Sequence, residues 1–252
     1  MPRRALLALA LPLLGLGAWA FATSVGGVKV YQLASPADVV RELGTLAANG
    51  QLWANHAASI ERVALGFACA FAVALGLGTA VGLSPRVEAA LDPTLQALRA
   101  VPSLAWVPLL LLWLGIGEDA KIVLIAIGAF FPIYVNLVAG IRGVDRKLVE
   151  VAEIFGIRGF DLARRVVVPA ALPALLVGAR IGLTQAWLFL VAAELLASTR
   201  GLGYMLTEGQ QISRTDEILT AILLLALCGK LSESAMRVLE RRLLRWTDGL
   251  PV

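Results

Sequence analysis

A chain of 252 residues with 59% hydrophobic and 16% charged residues, and a mean hydropathy of +0.81, is too apolar for a soluble protein and falls in the membrane class. The net charge of +4 does not point to nucleic acid, because Lys and Arg are spread between apolar stretches and build no basic, aromatic-interleaved patch. Cys69 and Cys228 stand far apart in apolar stretches and His56 is the single histidine. A disulfide framework and a zinc site are therefore not indicated, and the cysteines are expected to be buried small apolar residues.

A bilayer core about 30 Å thick needs roughly 20 mostly apolar helical residues, and six stretches supply them. The first, residues 5–22, comes after Arg3-Arg4; it also fits a secretory signal, but its length favours a retained helix. Ser35-Pro36-Ala37-Asp38 with Val39, Val40, Leu43 and Leu46 then reads as a capped, Pro-started amphipathic helix. Residues 63–83 are uncharged, residues 101–117 are uncharged but interrupted by Pro102 and Pro108, and residues 122–141 are again clean. Residues 174–193 carry one charge, Arg180, and residues 218–229 end before Lys230 and Glu233, an i,i+3 pair. The expected fold is an all-α polytopic membrane protein with about six transmembrane helices. Residues 1–58 would hold the first helix and an outer segment, and residues 59–252 a five-helix core.

Six spans from a cytoplasmic N-terminus put fourteen basic residues inside: Arg3, Arg4, Arg86, Arg99, Arg142, Arg146, Lys147, Arg158, Arg164, Arg165, Arg237, Arg241, Arg242 and Arg245. Six remain outside: Lys29, Arg41, Arg62, Lys121, Arg200 and Arg214. That asymmetry obeys the positive-inside rule and sets both termini in the cytoplasm. Trp19 and Trp246 near the expected interfaces fit an aromatic belt.

The longest charged segment lies within residues 142–173, an inside loop. Glu150-Val151-Ala152-Glu153-Ile154-Phe155-Gly156 reads as a short helix closed by a glycine αL cap, with Glu150 complementing the helix N-terminus. A second short helix is expected around Phe160, and Pro169 and Pro173 disfavour continuous helix on the approach to the next span.

This run, with Val166 and Val168-Pro169 beyond it, resembles the "EAA" signature of permease subunits of binding-protein-dependent ABC importers. Val151 and Val168 are mild departures from its alanine and leucine. Leu98 to Pro108, Leu114-Gly115-Ile116-Gly117-Glu118, Gly128-Ala129-Phe130-Phe131-Pro132 and Val191-Ala192-Ala193-Glu194-Leu195 are similar to the nitrate, sulfonate and taurine branch, and within it Val144 to Val151, Gly201-Leu202-Gly203-Tyr204 with Gly209-Gln210-Gln211, and Ile218 to Leu223 with Gly229-Lys230 most resemble aliphatic sulfonate permeases. The resemblance implies a type I importer permease (MetI-like) architecture in a bacterial inner membrane. It also implies a coupling surface of Glu150, Val151, Ala152, Glu153 and Gly156, angled by Pro169 and Pro173. The implied partners are two copies of an ABC ATP-binding subunit, a periplasmic solute-binding protein and a second copy of the chain in the lipid bilayer; the solute is a small anion such as an aliphatic sulfonate, taurine or nitrate.

No Gly-x-x-x-x-Gly-Lys-Ser/Thr loop is present: Gly229-Lys230 leads into Leu231. ATP hydrolysis is therefore expected in a partner, the chain itself is expected to be no enzyme, and no cofactor is implied. Intramembrane ionisable groups suggest function. Arg180 and Glu194 are candidates for the path or a gate, with Ser103, Thr184 and Gln185 as polar groups along it. Arg180 alternatively snorkels to the interface. Gly201-Leu202-Gly203-Tyr204 and residues 208–213 read as an outer gate, a binding-protein contact or a plain flexible loop. The rival reading is an ion-gradient-driven secondary transporter, but the paired half-helices and mid-membrane ion site it favours are not visible.

Overall fold

The computed structural model describes residues 2–25, 27–29 and 31–245, and among these every regular element is helical. In chain order they are α1 (Pro2–Ser24), α2 (Pro36–Ala48), α3 (Gln51–Leu83), α4 (Pro85–Ala100), a 3₁₀ turn (Ser103–Trp106), α5 (Val107–Leu114), α6 (Glu118–Arg142), α7 (Arg146–Ile154), α8 (Gly159–Leu162), a π turn (Ala163–Val167), α9 (Val168–Ala170), α10 (Leu172–Ala197), α11 (Leu202–Gln211) and α12 (Thr215–Leu243). Two compact units are present: Met1–Ser59 with Ser198–Leu227, and Ile60–Ala197 with Cys228–Val252. Helices α3 and α12 contribute residues to both.

Helices α3, α6, α10 and α12 are each long and apolar enough to cross a bilayer. The stretch 101–117, expected as an apolar span interrupted by its prolines, is part of a bent pair: α4 and Ser103–Leu114 meet at 91°. Pro102 drives Val101 into extended backbone at φ −73°, ψ 124°, as the residue before a proline prefers. Beyond the bend lie a single 3₁₀ turn and the eight-residue α5, about 12 Å long at 1.5 Å per residue and too short to span alone. Helix α1 adds a shorter apolar stretch, Ala10–Ser24, and Trp246 lies outside the described residues.

In the first unit, Ser35 and Asp38 form the expected capping box on α2, with Pro36 in its first turn. Its buried stripe is Val39, Glu42 and Leu46, whereas Val40 and Leu43 face outward. The expected apolar face is thus turned by about a residue, because the buried Glu42 accepts from Arg214, which also binds Asp216 at 2.7 Å. Trp19 is held through its indole N–H, which donates to the Ala34 carbonyl at 2.9 Å. The segment after residue 200 is no flexible loop. Helix α11 buries Leu202 and Met205 completely, and its first N–H groups, on Gly201 and Leu202, donate to Asn55 Oδ1 and Ser59 Oγ at 2.8 Å each. Helix ends leave such donors orphaned, and α3 supplies the acceptors.

In the second unit α6 is the packing centre, with Ile125, Ile133 and Leu137 fully buried. Its broadest partner is α10, and small residues let the two backbones approach. A Cβ on Gly182 would sit 2.9 Å from the Ala129 carbonyl oxygen, one on Gly178 2.9 Å from that of Pro132, and one on Gly128 2.0 Å from Phe189. On α3, Gly66, Gly78 and Gly82 likewise receive Ile125, Leu137 and Ile141. Polar ties hold the rest: Arg142 pairs with Glu88 at 2.7 Å, the Tyr134 hydroxyl donates to Asp92 at 3.2 Å, and the Trp187 indole donates to Ser232 at 2.9 Å. Outward-facing Leu188 and Leu231 remain exposed, the surface a hydrocarbon solvent covers. Cys228 is buried as expected; Cys69 is instead exposed, on the rim of an apolar groove.

Candidate functional site

The loop 142–173 is a folded element built from local rules. Asp145 caps α7 by accepting the Lys147 N–H at 2.9 Å. At the other end Gly156 adopts φ +77°, its N–H donates to the Glu153 carbonyl, and the Ile157 N–H donates to the Ala152 carbonyl, each at 3.0 Å. These are the two bonds of a Schellman cap, closed by the glycine expected there. Glu150 is not in the first turn, which holds no acidic residue: the helix starts at Arg146, so the expected charge–dipole role passes to Asp145. Pro169 and Pro173 fall in the first turns of α9 and α10, where their missing N–H costs nothing. The chain stays helical through the π turn and breaks only at Ala171.

Helix α7 has two unlike faces. Ala152 is buried, 6% exposed, and seats the helix on the molecule. Beside it an apolar stripe of Leu148, Val151, Ile154 and Phe155 is left uncovered, with Ile154 82% and Phe155 79% exposed, and Phe160 on α8 at 79%. Glu150, Glu153 and Gly156 are exposed around this patch. The signature-based reading of the sequence misses Ile154, Phe155 and Phe160. Their signal is three bulky apolar side chains in a charged, Gly-punctuated loop.

The expected path residues are not brought together. Ser103 lies half-buried in the 3₁₀ turn, Gln185 is half-buried on α10, and the exposed Thr184 spends its hydroxyl on the Arg180 carbonyl at 3.2 Å. Arg180 pairs with Glu240 of α12 at 3.6 Å instead of reaching only for the interface. Lys230 does pair with Glu233, at 3.3 Å, and Arg237 joins the same carboxylate.

Glu194 has a richer setting. It is 1% exposed and accepts from Arg62 Nη1 at 2.6 Å. The same guanidinium grips Glu118 through Nε at 2.6 Å and Nη2 at 2.7 Å, and Lys121 Nζ reaches Glu118 at 3.2 Å. Arg62 and Lys121, read from sequence as outer-loop cations, are buried members of this network, 2% and 6% exposed. Nothing local signals it, since Arg62 lies 56 residues from Glu118 and 132 from Glu194. By contrast, the groove of about 420 Å³ lined by Val73, Leu98, Trp106, Phe130 and Phe131 is apolar and offers an anion no partner.

The family model of the binding-protein-dependent transport system inner membrane component matches residues 72–245, which include the capped loop and Glu118. The chain belongs to this family. The permease is 44% identical over 240 residues to SsuC of Bacillus subtilis (strain 168), named as a putative aliphatic sulfonates transport permease protein, covering 95% of this chain and 87% of the relative. It is 39% identical over 219 residues to the taurine transport system permease protein TauC of Escherichia coli (strain K12), covering 85% and 80%. An inward-facing MetNI methionine ABC transporter superposes with a TM-score of 0.65 at 20% identity over 74% of this chain and 93% of that one. This shows the MetI-type permease fold. The permease is thus an inner-membrane subunit of a transport system that works with a binding protein.

Proposed function

We propose that two copies of this permease form the path of an ATP-driven importer for a small anionic solute, an aliphatic sulfonate, taurine or nitrate, delivered by a periplasmic binding protein. Both termini and the loop 142–173 face the cytoplasm, where one ATP-binding subunit per copy hydrolyses ATP. The observation that carries the coupling is the apolar face of α7, Leu148, Val151, Ile154 and Phe155, held rigid by caps at both ends. Such a patch on a charged loop marks an interaction surface. An amphipathic helix laid in a partner's groove is the matching mode. Glu150, Glu153 and Gly156 lie around the patch, the buried Ala152 anchors its edge, and Pro169 and Pro173 set its approach to α10. Coupling requires the docked helix to bind the two states of the ATP-binding subunit differently.

The solute class rests on the names of the sulfonate and taurine relatives. The test is ATP turnover of the co-expressed complex, comparing wild type with Glu150→Ala, Ile154→Ser and Phe155→Ser at equal membrane insertion. The serine variants are expected to lose subunit association or transport-coupled turnover. A wild-type chain that copurifies with no ATPase and moves solute on an ion gradient would establish the secondary-transporter reading instead.

A further inference from the structure

The Arg62, Lys121 and Glu118 arrangement has the form of an occupied anion site. Two cations, both more than nine-tenths buried, converge on one carboxylate: Arg62 grips it with the two-pronged face of its guanidinium, and Lys121 approaches from the side. Bidentate guanidinium contacts are the pattern that recognises planar or tetrahedral oxyanions. The cations cannot leave without carrying charge through apolar surroundings, but the carboxylate can, for the Glu118 side chain is 46% exposed at the start of α6. Glu194, its side chain fully buried, stays with Arg62 Nη1 and is not part of that face. The charges of these four groups point to the ligand class. With Glu118 in place the four groups sum to zero; with Glu118 turned outward, Arg62 and Lys121 against Glu194 leave one positive charge, the complement of a monoanion.

We propose that Glu118 is an intrinsic plug of an oxyanion-binding site formed by Arg62 and Lys121, and that a monovalent sulfonate or nitrate displaces it on its way into the path. The choice of solute class rests on the importer reading; the site itself rests on the geometry. The outer ends of α3, α6 and α10 in the proposed topology carry Arg62, Glu118 and Glu194, so the site lies where an imported anion arrives. Glu118 also acts as a filter: an anion that cannot take both guanidinium prongs does not displace it.

The test uses the purified full chain in detergent, titrated with sodium methanesulfonate, sodium nitrate or sodium chloride at fixed ionic strength while thermal unfolding is monitored. Glu118→Gln keeps the shape and removes the competing charge, and Glu118→Ala removes the plug. Both are expected to show oxyanion-dependent stabilisation with an apparent affinity about tenfold or more above wild type, chloride acting weakly. The gain is expected to vanish in the Arg62→Gln/Glu118→Gln double variant. Glu118 variants that respond to methanesulfonate and nitrate no more than wild type does, or a response that survives without Arg62, would overturn the site. Copurification of the ATP-binding subunit with the same preparations reports on α7 alone, so failure of the importer reading and failure of the anion site are separable.

Discussion

At the residue scale, burial decides what each charge is worth. Removing Glu194 by Glu194→Ala leaves Arg62, 2% exposed, short of a buried partner, and breaking one side of a buried pair costs about 3–5 kcal/mol. Thermal unfolding in detergent should fall accordingly, whereas Lys230→Ala, on an exposed pair, should cost under about 1 kcal/mol. The capping box of α2 gives a pH test. The Ser35 hydroxyl, then the Ser35 backbone N–H, hold the Asp38 carboxyl below its ordinary range. A depressed folded-state value means that this contribution is fully present above the ordinary carboxylate range and is lost as pH falls through the lowered value. Hydrogen exchange in the first turn of α2 should accelerate on acidification, and Asp38→Asn should remove that dependence. Sequence reasoning finds Glu194 and Ser35 but not Arg62 or Lys121. A cap is written within four residues, whereas a guanidinium's partners across three helices are not.

At the element scale, close approach and conformation govern. Gly182 of α10 has the Ala129 carbonyl oxygen and Ile133 within 3 Å of where a Cβ would stand. Gly182→Ala should therefore force α6 and α10 apart at about 1–3 kcal/mol, read as a lower unfolding temperature, while Gly76→Ala, with open space around it, should be neutral or slightly stabilising. Gly156→Val places a β-branched residue at φ +77° and should cost about 1–2 kcal/mol. Because that glycine closes the cap of α7, ATP turnover of the complex should fall further than the small stability loss accounts for. Hydropathy places the clean spans correctly because bilayer thickness imposes their length. It misjudges residues 101–117, where composition is apolar enough to span but Pro102 bends the path, and it misplaces Val40 and Leu43, because the ion pair of Glu42 with Arg214 outranks apolar periodicity in orienting α2.

For the whole molecule, charge asymmetry predicts which side each loop meets. Arg62 and Lys121 are buried against other helices instead of standing in an outer loop; set aside for that reason, they leave the exposed Lys29, Arg41, Arg200 and Arg214 on the outer side, so the inside bias on which orientation rests becomes steeper. Single cysteines at exposed positions test it: Phe155→Cys on the α7 surface and Thr45→Cys on α2, each with Cys69→Ala and Cys228→Ala to clear the background. A membrane-impermeant maleimide should label position 45 in intact spheroplasts and position 155 only in inside-out vesicles. Labelling of position 155 from outside would reverse the topology and remove α7 from reach of any cytoplasmic ATPase, and with it the coupling mechanism. Labelling of 155 from inside that is blocked when the ATP-binding subunit is co-expressed would place that subunit over Ile154 and Phe155, joining orientation and docking in one observation.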